Sequence, residues 1–349
     1  VRAALDRLTL RPGDIALVND PYAGGTHLPD VTAIAPLFEE GADAPAFLVA
    51  VRAHHADIGG ATPGSMAPQT EIFAEGLRIP PVRWIREGQE DPDVRSLLLA
   101  NVRDPAERLA DLAAQAAALE RGLDRLRALA GREGGLEALG RGAGRLLAYA
   151  GRIVSAALAS LPDGEARARV GLEVPDLAGR PAAIHVCLKK HGGTIEVDFA
   201  GTSGPVGEGL NAPEAVTRSA VYYLLRCLCP PDTPTNDGLL AHATITIPEG
   251  SLLAARPPLP VAGGNVETSQ RIVDALWLAA AKLWPKRIPA PGAGTMSNWT
   301  FGPGASGPSF PTYYETVPAG AGGGPDGPGH DAVQQHMTNT RSTPCLLYT

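Results

Sequence analysis

An α+β fold is predicted by three observations. Short apolar runs alternate with Gly-rich polar loops over residues 1–91. A 3.6-residue apolar period then takes over across residues 92–160. From residue 161 to 349 strand and helix patterns mix, with Gly and Pro dominating after 285. These shifts divide the 349 residues into a β-rich part with loops suited to a metal (1–91), a helical hairpin (92–160) and a mixed α/β part that reads as truncated (161–349).

Within 1–91, strands are expected at 14–18 (DIALV), 31–38 (VTAIAPLF) and 46–51 (AFLVAV). Polar, Gly-rich turns lie between and after them, and rigid strands are what hold such loops in place. In 92–160, Leu109, Leu112, Ala116, Leu119, Leu123, Leu126 and Leu129 recur every three or four positions, the mark of an amphipathic helix. Gly131 to Gly135 breaks it, and a second helical pattern runs from about Leu136 to Leu158. Two helices packed on each other within the chain explain this better than a partner-binding coiled coil, because the apolar seam lasts only about three heptads. A hairpin follows at 183–189 and 194–199, turning at His191-Gly192-Gly193. Helices are expected at 213–229 and 266–284, with a strand at 242–247. There is no internal repeat.

Composition narrows the function. With 44% hydrophobic and 19% charged residues the chain is globular. Arg outnumbers Lys twenty-six to four alongside heavy Ala, Gly and Pro use, a codon bias that strips Arg richness of functional meaning. The net charge of -7, with no basic stripe, argues against nucleic acid. No run of 18 apolar residues predicts a membrane span, and the opening VRAALDRLTLRPGD lacks a signal-peptide core. Four scattered Cys make no disulfide framework and suit a reducing cytoplasm. The Cys227-x-Cys229 pair reads as an apolar helix end rather than a metal clip. Val1 is not a start residue and the first residues read as the tail of a helix, so a fragment of a longer protein is expected.

Chemistry concentrates in the first sixty residues, where Asn19, Asp20, His27, Asp30, His54, His55 and Asp57 fall on two loops. His27 and Asp30 are three apart, as are His54 and Asp57, so two His-x-x-Asp pairs can converge on one ion. Imidazole and carboxylate donors without thiolate suit Mn, Fe or Zn. His55 or Asp20 can supply the outer hydrogen bonds that ligand histidines need. The competing reading is that these are ordinary turn and cap residues. Gly24-Gly25 and Gly59-Gly60 would permit close backbone approach to a bound species or simply make turns. A second constellation, Gly263-Gly264-Asn265-Val266-Glu267-Thr268-Ser269-Gln270-Arg271, offers a helix start that can hold an anion, or an ordinary cap at Asn265. A third, Gly329-His330 to Arg341, is a lid or a surface loop. No nucleophile elbow or nucleotide-binding loop is present.

Five stretches carry a resemblance that spacing cannot supply. GDIALVNDPYAGGTHLPDVTAIAPLF (13–38) and HHADIGGATPGSMAPQTEIFAEGLRIPPVRW (54–84) resemble signatures of the hydantoinase B/5-oxoprolinase family, to which the acetone carboxylase alpha subunit is related. DFAGTSGPVGEGLNAP (198–213), GGNVETSQRIVDAL (263–276) and HMTNTRSTP (336–344) follow in the family's order. Members of that family continue past the last motif, whereas Cys345 to Thr349 departs from the expected acidic and apolar pattern.

The resemblance implies an ATP-dependent cyclic amide hydrolase that opens hydantoin, N-methylhydantoin or 5-oxoproline. It implies a hetero-oligomer in which an A-type ATPase subunit uses ATP to phosphorylate the ring oxygen and this chain, which binds no ATP, handles the activated ring. The alternatives it leaves are an alpha-type subunit of an acetone or acetophenone carboxylase, or a non-catalytic structural subunit. It implies a divalent metal, Mn, Zn or Fe, on His54 and Asp57 first, with His27 and Asp30 completing the set. His54, Asp57 and His55 are then the candidate catalytic residues. Gly263, Gly264, Asn265, Glu267, Ser269 and Arg271 would receive the phosphorylated intermediate.

Overall fold

A computed structural model describes residues 1–303, 310–325 and 327–336, and they divide into two compact units. Unit 1 comprises Val1–Ala67, Glu71–Arg145 and Phe301–Tyr313. In chain order it holds α1 (Arg2–Arg7), β1 (Ile15–Val18), β2 (Asp30–Phe38), β3 (Pro45–His54), α2 (Ile72–Glu75), β4 (Val82–Arg86), β5 (Gln89–Glu90), α3 (Pro92–Ala100) and α4 (Pro105–Glu133). The five strands make an antiparallel sheet in the order β3-β2-β1-β4-β5.

All four residues of β1 are buried, because both faces of the sheet are covered. Side chains alternate across a strand. Ala16 and Val18 therefore share one face with Ile34, where they pack with Ala4 of α1 and Leu10. The other face receives α4, whose buried residues Leu112, Gln115 and Leu119 follow helical spacing. Gly122 lets that helix approach closely: a Cβ there would stand 2.9 Å from Val49 of β3. The expected strands are present, β1 and β2 within one residue of their expected bounds and β3 longer, and β4, β5, α2 and α3 were not anticipated.

Helix α5 (Leu136–Ala159) follows α4 after Gly134 and Gly135, both at positive φ, which is the usual glycine helix stop. Both helices were expected, but residues 92–160 do not stand as a unit of their own. α4 lies on β2 and β3, and the division between units falls within α5, between Arg145 and Leu146.

Unit 2 comprises Pro68–Thr70, Leu146–Thr300 and Tyr314–Thr349. Its strands are β6 (Gly164–Pro175), β7 (Pro181–His191), β8 (Thr194–Asp198) and β9 (Ala243–Thr246), in that order, with β8 and β9 parallel. The hairpin expected at 183–199 is β7–β8, closed by Gly192-Gly193 with Gly192 at φ 52°. Helix α7 (Ser269–Leu283) packs on β6 and β7, and α6 (Glu214–Leu228) packs on α7. Val154 and Leu158 of α5 join Ile184, Leu188, Phe199, Leu225, Ile272 and Leu276 in the core. Short strands β10 (Asn298–Phe301) and β11 (Tyr313–Thr316) pair with each other. No helix among the described residues is long and apolar enough to cross a membrane.

Candidate metal centre

The antiparallel register of β2 and β3 places Asp30 opposite His54. His27 arrives from the preceding loop, and its ring stacks on that of His54 with centroids 5.2 Å apart. Asp30 lies between the two imidazoles: Oδ2 is 3.3 Å from His27 Nδ1 and Oδ1 is 3.6 Å from His54 Nδ1. Thr26 Oγ1 donates to Asp30 Oδ2 at 2.5 Å. One donor atom from each of His27, Asp30 and His54 lies within 4.8 Å of the others, close enough for the three to share a single ion.

Burial tunes these groups. His27 is 2% exposed, and burial holds its pKa below the ordinary value despite the raising effect of Asp30, so the ring stays neutral and able to ligate. For Asp30 burial pushes the other way, but hydrogen bonds from His27, His54 and Thr26 outweigh it and hold the carboxyl well below its usual range. A permanent anion therefore sits between two imidazoles. Among the described residues His27 Nε2 is buried without a hydrogen-bond partner, a cost that a native interior normally avoids. Among those residues His27 thus keeps one ring nitrogen open, as a metal ligand requires. Imidazole, imidazole and carboxylate fit Mn, Zn or Fe.

Asp57, paired with His54 by sequence spacing, is not in this cluster. It is completely buried, and its Oδ1 accepts from the backbone N–H groups of Gly59 and Arg103. Its Oδ2 accepts from Gly64 N–H and, at 2.7 Å, from the Arg103 guanidinium. Four donors occupy the carboxylate, which pins the loop after β3 to the segment before α4. Three-residue spacing misled here because the chain leaves the strand after His54 and turns Asp57 inward.

His54 and His55 part company for the simplest of reasons: adjacent residues of an extended chain face opposite ways. His55 is 1% exposed on the α4 side, its Nε2 3.0 Å from Gln115 Oε1. It takes no place beside Asp30. Asp20 accepts from Tyr22 N–H and faces Arg78 at 3.8 Å, so the outer hydrogen bond to Asp30 comes from Thr26 instead. Asn19 staples the loop, donating to the Leu28 and Leu77 carbonyls and accepting from Ile79 N–H. The paired glycines serve the chain's own backbone. A Cβ on Gly59 would stand 2.2 Å from the Asn101 carbonyl oxygen, and one on Gly60 2.6 Å from that of Ala74.

The helix start at Gly263–Arg271 is not the open anion cradle the sequence suggested. Gly264–Thr268 forms a π-helical turn that runs into α7, with helical residues already at 262–263. Gly264 N–H bonds the Gly209 carbonyl and Asn265 N–H that of Val261, so those donors are taken. A Cβ on Gly264 would meet Asn211 O at 1.9 Å, which is why glycine stands there, and Gly263 lies close against Gly209 and Leu210. Ser269 bonds the Asn265 carbonyl, Glu267 accepts from Thr295, and Arg271 faces Asp274 at 3.3 Å. Of the third constellation only residues up to His336 lie within the described residues. His336 is buried against Tyr223 and Trp277. Cys227 and Cys229 close α6, both thiols pushed up by burial.

A sheet end that holds two histidines about a carboxylate defines a candidate metal protein of α+β class. Comparison with known proteins places it further. The family model for hydantoinase B/oxoprolinase matches residues 1–346, and the chain belongs to that family. It is 38% identical to 5-oxoprolinase 1 of Arabidopsis thaliana over 96% of its length and 27% of that protein's. It is 30% identical to the putative B-type component of a D-/L-hydantoinase from Pseudomonas sp., over 96% of this chain and 58% of that one. The chain thus spans between about a quarter and three fifths of these relatives' lengths. Among solved structures it resembles the ATP-dependent caprolactamase of Pseudomonas jessenii, with a TM-score of 0.83 and 28% identity over 95% of this chain and 57% of that one. The fold is also shared with an acetone carboxylase, with a TM-score of 0.78 and 19% identity over 97% and 46% of the two chains.

Proposed function

We propose that this chain is the B-type part of a cytoplasmic, ATP-dependent enzyme that opens a cyclic amide such as hydantoin, N-methylhydantoin or 5-oxoproline, using a divalent metal at His27, Asp30 and His54. The observation that carries the reading is the cluster itself, a carboxylate within reach of two imidazoles, with His27 Nε2 buried and unbonded among the described residues. The relatives support the reaction class, since those named 5-oxoprolinase, hydantoinase and caprolactamase are named for cyclic amides. The acetone carboxylase likeness supports the shared fold and gives no separate reason to choose carboxylation.

In this reading His27 and His54 supply ring nitrogens and Asp30 the negative charge. The metal, Mn, Zn or Fe, would acidify a coordinated water and polarise the substrate oxygen. Thr26 orients Asp30, and the Asn19 staple holds the loop so that His27 reaches the strand ends. Asp57 and Arg103 fix the floor of the following loop. An A-type subunit, forming a hetero-oligomer with this chain, would activate the ring by phosphorylation with ATP, which this chain does not itself bind.

The test is ring opening of hydantoin and 5-oxoproline by the assembled complex with and without ATP. ATP-dependent product formation lost on His54→Ala supports the proposal. Turnover unaffected by His54→Ala contradicts it.

A further inference from the structure

Gln115 is a polar residue on an apolar helical stripe. It lies between Leu112 and Leu119 on the face of α4 that covers the sheet, and it is 3% exposed. Its Nε2 donates to the Val31 carbonyl at 2.9 Å and to the Val51 carbonyl at 3.4 Å. Its Oε1 is 3.0 Å from His55 Nε2. Val31 follows Asp30, His55 follows His54, and Val51 precedes His54 on β3. One side chain therefore grips the beginning of β2 and the end of β3 from the face opposite the His27–Asp30–His54 cluster.

We infer that Gln115 is a positioning residue for the metal centre: by bonding both strand ends it holds Asp30 and His54 at the separation one ion needs. The inference rests on the metal reading above. Strand ends are where a ladder is least restrained, and Asp30 and His54 are terminal residues of β2 and β3. A leucine at 115 would fill the stripe without burying an amide, and a buried amide is tolerated only when its bonds are made. Here both ends of the amide are engaged. Its donor end is committed to two carbonyls, so the oxygen faces His55, and His55 must carry a proton on Nε2. His55 thus serves as the far end of the grip while its neighbour faces the ion.

The experiment titrates Mn(II), and separately Zn(II) by chelator competition, into the full chain. Gln115→Met keeps the length and removes the bonds. It is expected to weaken affinity by about 10- to 100-fold, the range for residues that orient metal ligands. Leu119→Ala loosens the same helix without touching those bonds and is expected to bind like the wild type. Affinity unchanged in Gln115→Met, or weakened equally in Leu119→Ala, overturns the inference while leaving the metal reading standing. Wild-type chain that binds neither ion overturns both. Nitrogen-15 spectra of the wild-type histidines give a reading that needs no variant: a proton on His55 Nε2 is expected, and a bare Nε2 overturns the grip.

Discussion

Asp30, the first residue of β2, stands directly opposite His54, the last residue of β3, with Oδ1 3.6 Å from Nδ1. A cross-strand pair of this kind fixes which residues meet, because a slip of β3 by one residue would turn His54 away from the face of Asp30. Asp30→Asn keeps the shape and removes the charge. It should leave the fold intact and lower Mn(II) or Zn(II) affinity by more than about 100-fold, beyond what outer hydrogen-bond partners usually contribute. Chelator competition measures this.

Asp57 should behave differently. Its carboxylate is buried and bonded to Arg103, and breaking such a pair costs about 3–5 kcal/mol. Asp57→Ala should therefore lower unfolding free energy in urea by about that much. Whatever fraction folds should still bind metal, since His27, Asp30 and His54 are untouched. Loss of metal at unchanged stability would return Asp57 to the ligand set.

The metal-free chain should lose stability in mild acid. Burial lowers the folded pKa of His27, His55 and His336 below 6.5, so the unfolded chain binds more protons there. Stability from these groups is fully present above pH 6.5 and falls as pH drops below it towards their folded values. Asp30, held below its ordinary 3.8, contributes above that pH and loses its contribution only below it. Urea unfolding between neutral pH and pH 5 checks the first window; a flat profile contradicts it.

The helix at Gly264 should respond to volume and not to phosphate. Gly264→Ala drives a Cβ onto the Asn211 carbonyl and should cost about 1–3 kcal/mol, the range for overpacking. Arg271→Ala, whose side chain is 38% exposed, should cost less than about 1 kcal/mol. Thermal denaturation of both variants separates a packing role from a ligand role.

The class of fold was readable because its signals are local. Periodicity located α4, α5, α6 and α7, and Gly192-Gly193 located the β7–β8 turn. The candidate metal ligands were readable as types, but their grouping depends on pairing across strands. His54 and Asp57 looked like partners by spacing, whereas the true neighbours are His54 and Asp30, joined by register. Asp57 was misplaced because nothing local announces that Arg103 will meet it. Gln115 did leave a trace, a polar side chain on the Leu112–Leu119 stripe. Reading it required knowing which strands that stripe would cover. At Gly264 the glycine pair was read as a helix start able to hold an anion, whereas the group that meets it is the chain's own backbone.

Metal content of the purified chain, measured by mass spectrometry beside a His27→Ala/His54→Ala double variant, is the decisive measurement. About one equivalent of Mn, Zn or Fe per chain is expected, carried by imidazole and carboxylate and absent from the variant. A well-folded wild type without metal, or a variant that keeps it, would contradict a metal centre at His27, Asp30 and His54.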